Sequence, residues 1–331
     1  MKTLGEASTP AEVRAEAALT AVVAWTGKQI GYTSAPPGIA SPSHRGVESE
    51  AWRVAVDQPS PAYFLKIVNS DQKAFVDLEA VFEAASIAAG LGCTPSPRHL
   101  AREADAIVFD LLPPGWKTAR MDHLRRADVM EQVIALKKAI HRARPFTLCW
   151  TVFDRIRVLD NACKAAGIDH PDDLWWMLDG VGEIERSITA AGYDVRPSHA
   201  DGLASNVMIS QDGAVQLVDF DEARNVDPLY EIGILLNETF PFEEEMRPAL
   251  EMFEGSFRQA SLDRCRAYAA ADDLMWGLWG MLMNSTSPRG DIEFLKYAQW
   301  RLLRCRMGSS PSGLRTEIET ALSGCMEVLH D

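Results

Sequence analysis

The first third of the chain carries short apolar runs that predict strands, together with two helical patterns. Four apolar residues recur at helical spacing between Phe75 and Ala85 and predict a helix over residues 75–89. Upstream, the capping-box signature Thr9-Pro10-Ala11-Glu12 predicts a helix over about residues 10–25. The predicted strands end at turn or breaker residues and cover residues 50–56, 62–68 and 106–112. The order of elements predicted in this region is therefore helix, strand, strand, helix, strand.

Beyond Trp116 the pattern changes to longer helical segments, interrupted by one predicted hairpin. The predicted helices cover about residues 120–142, 145–166, 172–191, 227–239, 243–257, 262–285, 291–305 and 312–329. The breaker Pro113-Pro114-Gly115 separates the two kinds of pattern. It predicts a boundary between a region of mixed strands and helix, residues 1–112, and a helical region, residues 113–331.

The predicted hairpin brings two oxygen-bearing side chains together. Asp212-Gly213 is a signal for a two-residue type I′ turn between apolar runs, because both positions tolerate positive φ. That turn places Asn206 opposite Asp219, and directly opposed side chains start about 4.5–5.5 Å apart at Cβ. An amide oxygen and a carboxylate can share Mg²⁺, which takes few protein ligands. With Asp201 on the entering loop, the pattern predicts a metal and phosphate site.

Composition and charge limit which classes of protein and partner the sequence allows. The 331 residues predict about two domains, since about 150 residues per domain is usual. The net charge of −14 argues against a nucleic-acid partner and suits a cationic or neutral substrate. Six cysteines without C-x-x-C spacing favour reduced thiols over a zinc site or a disulfide framework. No apolar run reaches the length of a membrane span and no signal peptide is recognised, so a cytoplasmic protein is expected.

Two motifs and a helical signature carry a resemblance to a known family. His199, Asp201 and Asn206 fit the pattern H-x-D-x-x-x-x-N, and Asp219-Phe220-Asp221 fits the D-F-x motif that follows it. A paired-tryptophan signature and an aromatic-Tyr-Ala-x-x-Arg stretch are met by Trp276, Trp279, Phe294, Tyr297, Ala298 and Arg301. Over roughly residues 40 to 305 the chain resembles the choline/ethanolamine kinase and aminoglycoside phosphotransferase family.

The resemblance implies an α+β, protein-kinase-like fold of two lobes. The smaller N-terminal lobe, residues 1–112, would carry an antiparallel sheet with a helix and bind the nucleotide, with the helix at about 10–25 as an addition. The larger lobe, residues 113–331, would be mostly helical and carry the catalytic loop. Phosphoryl transfer in such folds depends on positioning and on neutralising phosphate charge.

The resemblance also implies roles for individual residues in an ATP- and Mg²⁺-dependent reaction. Asn206 and Asp219 would hold Mg²⁺, and Lys66 would bind the phosphates with Glu79 as its partner, although Glu79 also fits a solvated helix position. Asp201 would accept the proton of the attacking hydroxyl or orient that hydroxyl. His199 would brace the loop and is less expected to transfer a proton. The predicted nucleotide contacts are completed by Gly46, Asp110 and Leu112.

The acceptor is expected to be a small cationic amino alcohol such as choline or ethanolamine. Its predicted contacts are Glu222, Glu231, Trp276 and Trp279. Trp276 and Trp279 stand at helical spacing, so core packing is as good an interpretation as a ligand cage. Glu222 replaces the tyrosine of choline-kinase-like sequences, which favours an acceptor that keeps N–H donors. An aminoglycoside acceptor, and a nucleotide-binding pseudokinase or regulatory module, are the alternatives.

Overall fold

The computed structural model describes residues 1–35 and 48–308, which divide into two units. The first unit joins Met1–Ala119 with Ser205–Ala223, and the second joins Arg120–Ala204 with the described residues from Arg224 onward. The expected boundary at residues 112 and 113 differs from this division, because the hairpin belongs with the N-terminal segment. Gly46 and the helix expected over residues 312–329 lie outside the described residues.

The strands are short, and most of them belong to the first unit. They are β1 (Lys2–Thr3), β2 (Ile30–Ser34), β3 (Ser49–Val56), β4 (Tyr63–Val68), β5 (Pro97–Ala101), β6 (Ala106–Asp110), β7 (Lys117–Thr118), β8 (Arg196–Ser198), β9 (Val207–Ile209), β10 (Val215–Leu217) and β11 (Arg224–Val226).

The α-helices include two in the first unit and eight in the described part of the second. They are α1 (Pro10–Thr20), α2 (Leu78–Gly90), α3 (Met121–Leu124), α4 (Ala127–His141), α5 (Val152–Ala165), α6 (Leu174–Ala191), α7 (Pro228–Thr239), α8 (Glu243–Glu254), α9 (Gln259–Thr286) and α10 (Phe294–Gly308).

A six-stranded antiparallel sheet of order β1-β2-β3-β4-β6-β5 forms the core of the first unit. The three predicted strands are found as β3, β4 and β6, the middle of the sheet. The sequence pattern missed the outer strands, because β1 has two residues, β2 contains Gly31, and β5 begins with Pro97 and carries charge. Lys66 is therefore on a central strand, between Ala51 of β3 and Ile107 of β6.

Capping residues set where the two helices of the first unit begin. Thr9 and Glu12 form the predicted capping box of α1, which ends at Thr20, before a 3₁₀ turn at Val23–Trp25. α2 begins after Asp77, whose carboxylate accepts the backbone N–H groups of Glu79 and Ala80. It therefore starts three residues later than predicted, and Glu79 falls in its first turn.

The second unit is built around the 28-residue helix α9, which contacts α5, α6, α7 and α10. The predicted helix over 120–142 is divided into α3 and α4, and the one over 145–166 begins only at the capping box of Thr151 and Asp154. β8 and β11 form a two-stranded sheet that three-residue strands are too short to predict. No helix among the described residues is long and apolar enough to cross a membrane.

Candidate active site

The hairpin of the first unit is one residue out of the predicted register. Leu217 pairs with Val207, and the Val218 N–H donates to the Asn206 carbonyl at 2.9 Å. Asn206 therefore lies opposite Val218, and the predicted pairing of Asn206 with Asp219 is wrong. A shift of one residue in register exchanges the face to which a side chain points.

The register changes because Ser210 closes the loop one residue earlier than the Asp-Gly signal predicts. The Ser210 N–H donates to the Ala214 carbonyl at 2.9 Å, and the Ala214 N–H donates to the Ser210 hydroxyl at 2.8 Å. The Ser210 hydroxyl also donates to the Asp212 carboxylate. With Gly213 at a φ of 87°, the connection is a three-residue loop with glycine in the left-handed position.

Asp219 nevertheless lies beside Lys66, because its own backbone breaks the strand pattern. Its φ is 67°, a left-handed conformation that costs roughly 1–2 kcal/mol for a residue with a Cβ. Its carboxylate accepts a hydrogen bond from the Lys66 ammonium at 2.6 Å. Strained backbone of this kind is often found at functional sites.

Lys66 is held by two carboxylates that flank Phe220. Its Nζ donates to Asp219 Oδ1 and to Asp221 Oδ1, each at 2.6 Å, and the lysine side chain is 7% exposed. Burial alone would lower the pKa of Lys66, but the two carboxylates raise it above its ordinary value. The side chain is therefore a permanent cation on the central strand.

Glu79 is not the partner of Lys66. It forms an ion pair with Arg102 at 2.5 Å, and its side chain is 64% exposed. Because α2 begins after Asp77, Glu79 occupies the first turn of the helix and contacts the 3₁₀ turn at Arg102–Ala104. The predicted Lys66–Glu79 pair is therefore wrong, and Asp221 takes the place expected for Glu79.

The same segment offers an oxygen donor set that suits Mg²⁺. Asp219 has a side chain 36% exposed, Asn206 is half-buried, and Asp221 Oδ2 is buried without a hydrogen-bond partner among the residues that the structure describes. Within the described residues no group of three His, Cys, Asp or Glu side chains is arranged to hold a metal. Mg²⁺ needs only one or two carboxylates, because phosphates and water complete its shell.

The catalytic-loop motif begins in the second unit, after β8. The backbone of Ala200 is left-handed, with a φ of 58°, and the Leu203 N–H donates to Asp201 Oδ1 at 2.7 Å. His199 is buried, and its Nδ1 lies 3.3 Å from the Asp201 carbonyl oxygen. This position suits the predicted bracing role of His199. Asp201 itself is half-buried.

Glu231 is fully buried, so a direct contact with the acceptor is not supported. Its Oε1 accepts from Lys137 at 2.8 Å and from the Ala200 N–H at 3.0 Å, and its Oε2 lies 2.5 Å from His141 Nε2. Burial would raise the pKa of this carboxyl, but Lys137 and His141 lower it well below its ordinary value. The predicted acceptor contact is therefore corrected to a structural support of the loop.

The two tryptophans of α9 belong to an aromatic cluster with α10. Trp279 is buried, with ring centroids 5.6 Å from Phe294 and 5.9 Å from Tyr297. Trp276 is half-buried and lies 5.4 Å from Trp279. Core packing thus accounts for Trp279, while Trp276 is only partly buried.

Buried charges next to these aromatic residues were missed by the sequence interpretation. Asp272 and Asp273 precede Trp276 on α9, and Arg301 of α10 contacts them at 2.5 and 3.0 Å. Arg304 lies 3.3 Å from Asp273 and 4.0 Å from Glu238. The signal available in the sequence was two adjacent acids in an otherwise apolar helical stretch.

The remaining predicted contacts stay predictions. Asp110 ends β6 and forms a two-pronged ion pair with Arg98 at 2.7 and 2.6 Å. Leu112 is half-buried just beyond that strand, and Glu222 is buried next to Asp221. Gly46 lies in the range 36–47 that the structure does not describe.

Comparisons with known proteins identify the family of this chain. A family model described as the phosphotransferase enzyme family matches residues 40–268. Probable choline kinase 1 of Arabidopsis thaliana is 22% identical over 236 residues, which cover 62% of this chain and 67% of that protein.

Solved structures share the fold at low identity. A choline/ethanolamine kinase family protein from Mesorhizobium loti has a TM-score of 0.75 and 19% identity, covering 94% of this chain and 98% of the other. Choline kinase LicA from Streptococcus pneumoniae has a TM-score of 0.67 and 16% identity, covering 80% and 89%. Aminoglycoside phosphotransferases are also similar in structure. Since the family model spans more than half of its residues, the chain belongs to the phosphotransferase enzyme family and is a small-molecule kinase.

Proposed function

We propose that this enzyme transfers the γ-phosphate of ATP to the hydroxyl of a small cationic amino alcohol, with choline or ethanolamine as first candidates. The observation that carries the proposal is the buried Lys66 cation between Asp219 and Asp221. Similar structures were solved as complexes with AMP and with GDP, which supports a nucleotide as the donor.

Each unit would contribute its own part of the reaction. In the first unit, Lys66 would bind phosphate oxygens, and Asn206 with Asp219 would hold Mg²⁺, which neutralises phosphate charge when bound. In the second unit, Asp201 would accept or orient the proton of the acceptor hydroxyl, a role worth roughly 10²- to 10⁴-fold in rate. His199 would keep the Asp201 loop in place.

The charge of the second unit supports a cationic acceptor. Three carboxylates, Glu238, Asp272 and Asp273, share the two guanidinium groups of Arg301 and Arg304. Trp276 adds a partly exposed aromatic ring, and aromatic faces attract ammonium groups. Glu222 remains a proposed acceptor contact that would favour a substrate with N–H donors over a quaternary ammonium.

An aminoglycoside-type acceptor is the second candidate. It is favoured by the structural likeness to aminoglycoside phosphotransferases and by the same excess of carboxylates, which suits an acceptor with several ammonium groups. ADP release with Mg-ATP, measured over choline, ethanolamine, other amino alcohols and aminoglycosides, separates the two. Absence of turnover with every cationic alcohol would contradict the proposal.

The Asp201→Asn variant tests the role of the catalytic loop. We expect it to lose at least about 100-fold in kcat, because the amide cannot accept the hydroxyl proton, while Mg-ATP still binds. Asp219→Ala should instead weaken Mg-ATP binding, because it removes a metal ligand. ADP release and calorimetric titration with Mg-ATP give the two readouts. Equal kcat for Asp201→Asn and the unmodified enzyme would exclude Asp201 as the proton acceptor.

A further inference from the structure

Lys137 is a buried cation that contacts the catalytic loop directly. It lies inside α4, and 1% of its side chain is exposed. Its Nζ donates to the backbone carbonyl oxygen of Asp201 at 2.9 Å and to Glu231 Oε1 at 2.8 Å. A buried ammonium group is costly unless it is paired and hydrogen-bonded. The contacts with Asp201 and Glu231 therefore compensate the burial of Lys137.

Glu231 connects Lys137 to a second backbone group of the loop, the N–H of Ala200. The oxygen that receives Lys137 also accepts the Ala200 N–H, at 3.0 Å. The second oxygen of Glu231 is occupied by His141 at 2.5 Å. Lys137 and Glu231 thus hold one backbone donor and one backbone acceptor on consecutive residues, Ala200 and Asp201.

The loop needs such support because its conformation is unfavourable on its own. Ala200 has a left-handed φ of 58°, which its Cβ disfavours. Gly202 approaches α7 so closely that a Cβ there would lie 2.5 Å from the Leu235 nitrogen. The two residues that flank Asp201 are therefore held in place by surrounding groups, and its carboxylate direction follows from them.

We propose that Lys137 is a positioning residue for Asp201, acting through the Asp201 carbonyl and through Glu231. The inference rests on the proposed role of Asp201. Lys137 is buried and would act through these two contacts, without touching a substrate itself. It holds the peptide that follows the Asp201 Cα directly and, through Glu231, the peptide that precedes the Ala200 Cα, so that the carboxylate meets the acceptor hydroxyl at the reactive angle.

The Lys137→Met variant tests this inference, because methionine preserves the length and packing of the side chain without its donors. We expect kcat to fall about 10- to 100-fold, since small misplacements of a catalytic group have effects of that size. The KM for ATP should change by less than about twofold, because the variant leaves the proposed nucleotide-binding residues unchanged. ADP release under saturating acceptor and Mg-ATP titration measure both quantities.

Lys138→Met is the matched control. Lys138 is the next residue of α4, and its Nζ also donates to a backbone carbonyl, that of Phe253, at 2.8 Å. It does not contact the catalytic loop. We expect this variant to keep kcat within about twofold, and its thermal stability reports the effect of removing a lysine from α4.

A double variant separates positioning from folding. Lys137→Met leaves Glu231 buried with less compensation, so the single variant can be unstable, whereas Lys137→Met combined with Glu231→Gln removes both charges. We expect the double variant to regain thermal stability but not kcat. If Lys137→Met, or the stable double variant, has the kcat of Lys138→Met while Asp201→Asn is inactive, the positioning role is excluded. If Asp201→Asn is as active as the unmodified enzyme, the proposed role of Asp201 fails instead, whereas absence of turnover by the unmodified enzyme contradicts the proposed function.

Discussion

Lys66 shows how two carboxylates can differ in importance although their distances are equal. Asp219 and Asp221 each lie 2.6 Å from the ammonium, but their side chains are 36% and 10% exposed. Solvent screens an exposed ion pair, and a buried one keeps more of its attraction. Asp219 is also the proposed Mg²⁺ ligand. Asp221 is therefore the residue that would keep Lys66 in place if Asp219 binds the proposed metal.

Comparison of Asp221→Asn with Glu79→Gln tests this assignment. We expect Asp221→Asn to weaken Mg-ATP binding at least about tenfold, because a charge-assisted hydrogen bond to Lys66 is lost. Glu79→Gln should leave binding unchanged, since its ion pair with Arg102 is exposed and such pairs contribute about 0–1 kcal/mol. Calorimetric titration with Mg-ATP gives both affinities. A larger loss for Glu79→Gln than for Asp221→Asn would reverse the assignment.

At the scale of elements, close helix packing determines where the loop-supporting helix α7 lies within the second unit. Gly233 of α7 faces the backbone of α9, and a Cβ there would lie 2.4 Å from the Cys265 carbonyl oxygen. Two residues earlier on α7, Glu231 supports the catalytic loop. The spacing between α7 and α9 therefore bears on the position of Asp201, the proposed proton acceptor.

Gly233→Ala is expected to lower the free energy of unfolding by about 1–3 kcal/mol, because backbone must move to admit the methyl group. Gly182→Ala in α6 is the matched control. Its Cβ would meet only Arg186 Nη1 at an ordinary 3.5 Å, so the variant should gain up to about 1 kcal/mol from the higher helix propensity of alanine. Thermal unfolding of both proteins measures the difference. Shifts of the same sign would contradict this account.

At the scale of the molecule, an acidic chain also places carboxyl groups in its interior. The net charge is −14, and Asp272 is among the acids that are buried in the second unit. Burial raises the pKa of Asp272 to about 6, against the attraction of Arg301 and with a further contribution from Asp273. In an unfolded chain the group ionises near pH 4, at a pKa of about 3.9.

This difference makes stability depend on pH in a defined direction. Between about pH 4 and 6 the folded state keeps a proton that the unfolded state has lost, so the stabilisation from Asp272 is complete below that window and is lost as pH rises through it. Asp272→Asn should match the unmodified protein near pH 4 and exceed it at pH 7 by up to about 3 kcal/mol. Thermal unfolding at both pH values tests this, and a pH-independent gap would contradict it.

Local sequence patterns were sufficient to predict much of the secondary structure. The capping box of α1, the strands β3, β4 and β6, and the long helices follow from residues close together in sequence. The spacing of His199, Asp201 and Asn206 and the Asp-Phe-Asp motif indicated the reaction type without any coordinates. Capping, periodicity and motif spacing depend on neighbours along the chain, which is why sequence alone determined them.

The partners of the functional residues were decided only by the tertiary structure. The partners of Lys66 are Asp219 and Asp221, 153 and 155 residues away in sequence, and not the nearer Glu79. Glu231 is a buried support because Lys137 and Ala200 reach it from other elements. One Ser210 hydroxyl shifted the hairpin register. Such contacts depend on which distant segments pack together, and the pattern of apolar and polar residues along the chain does not specify this packing.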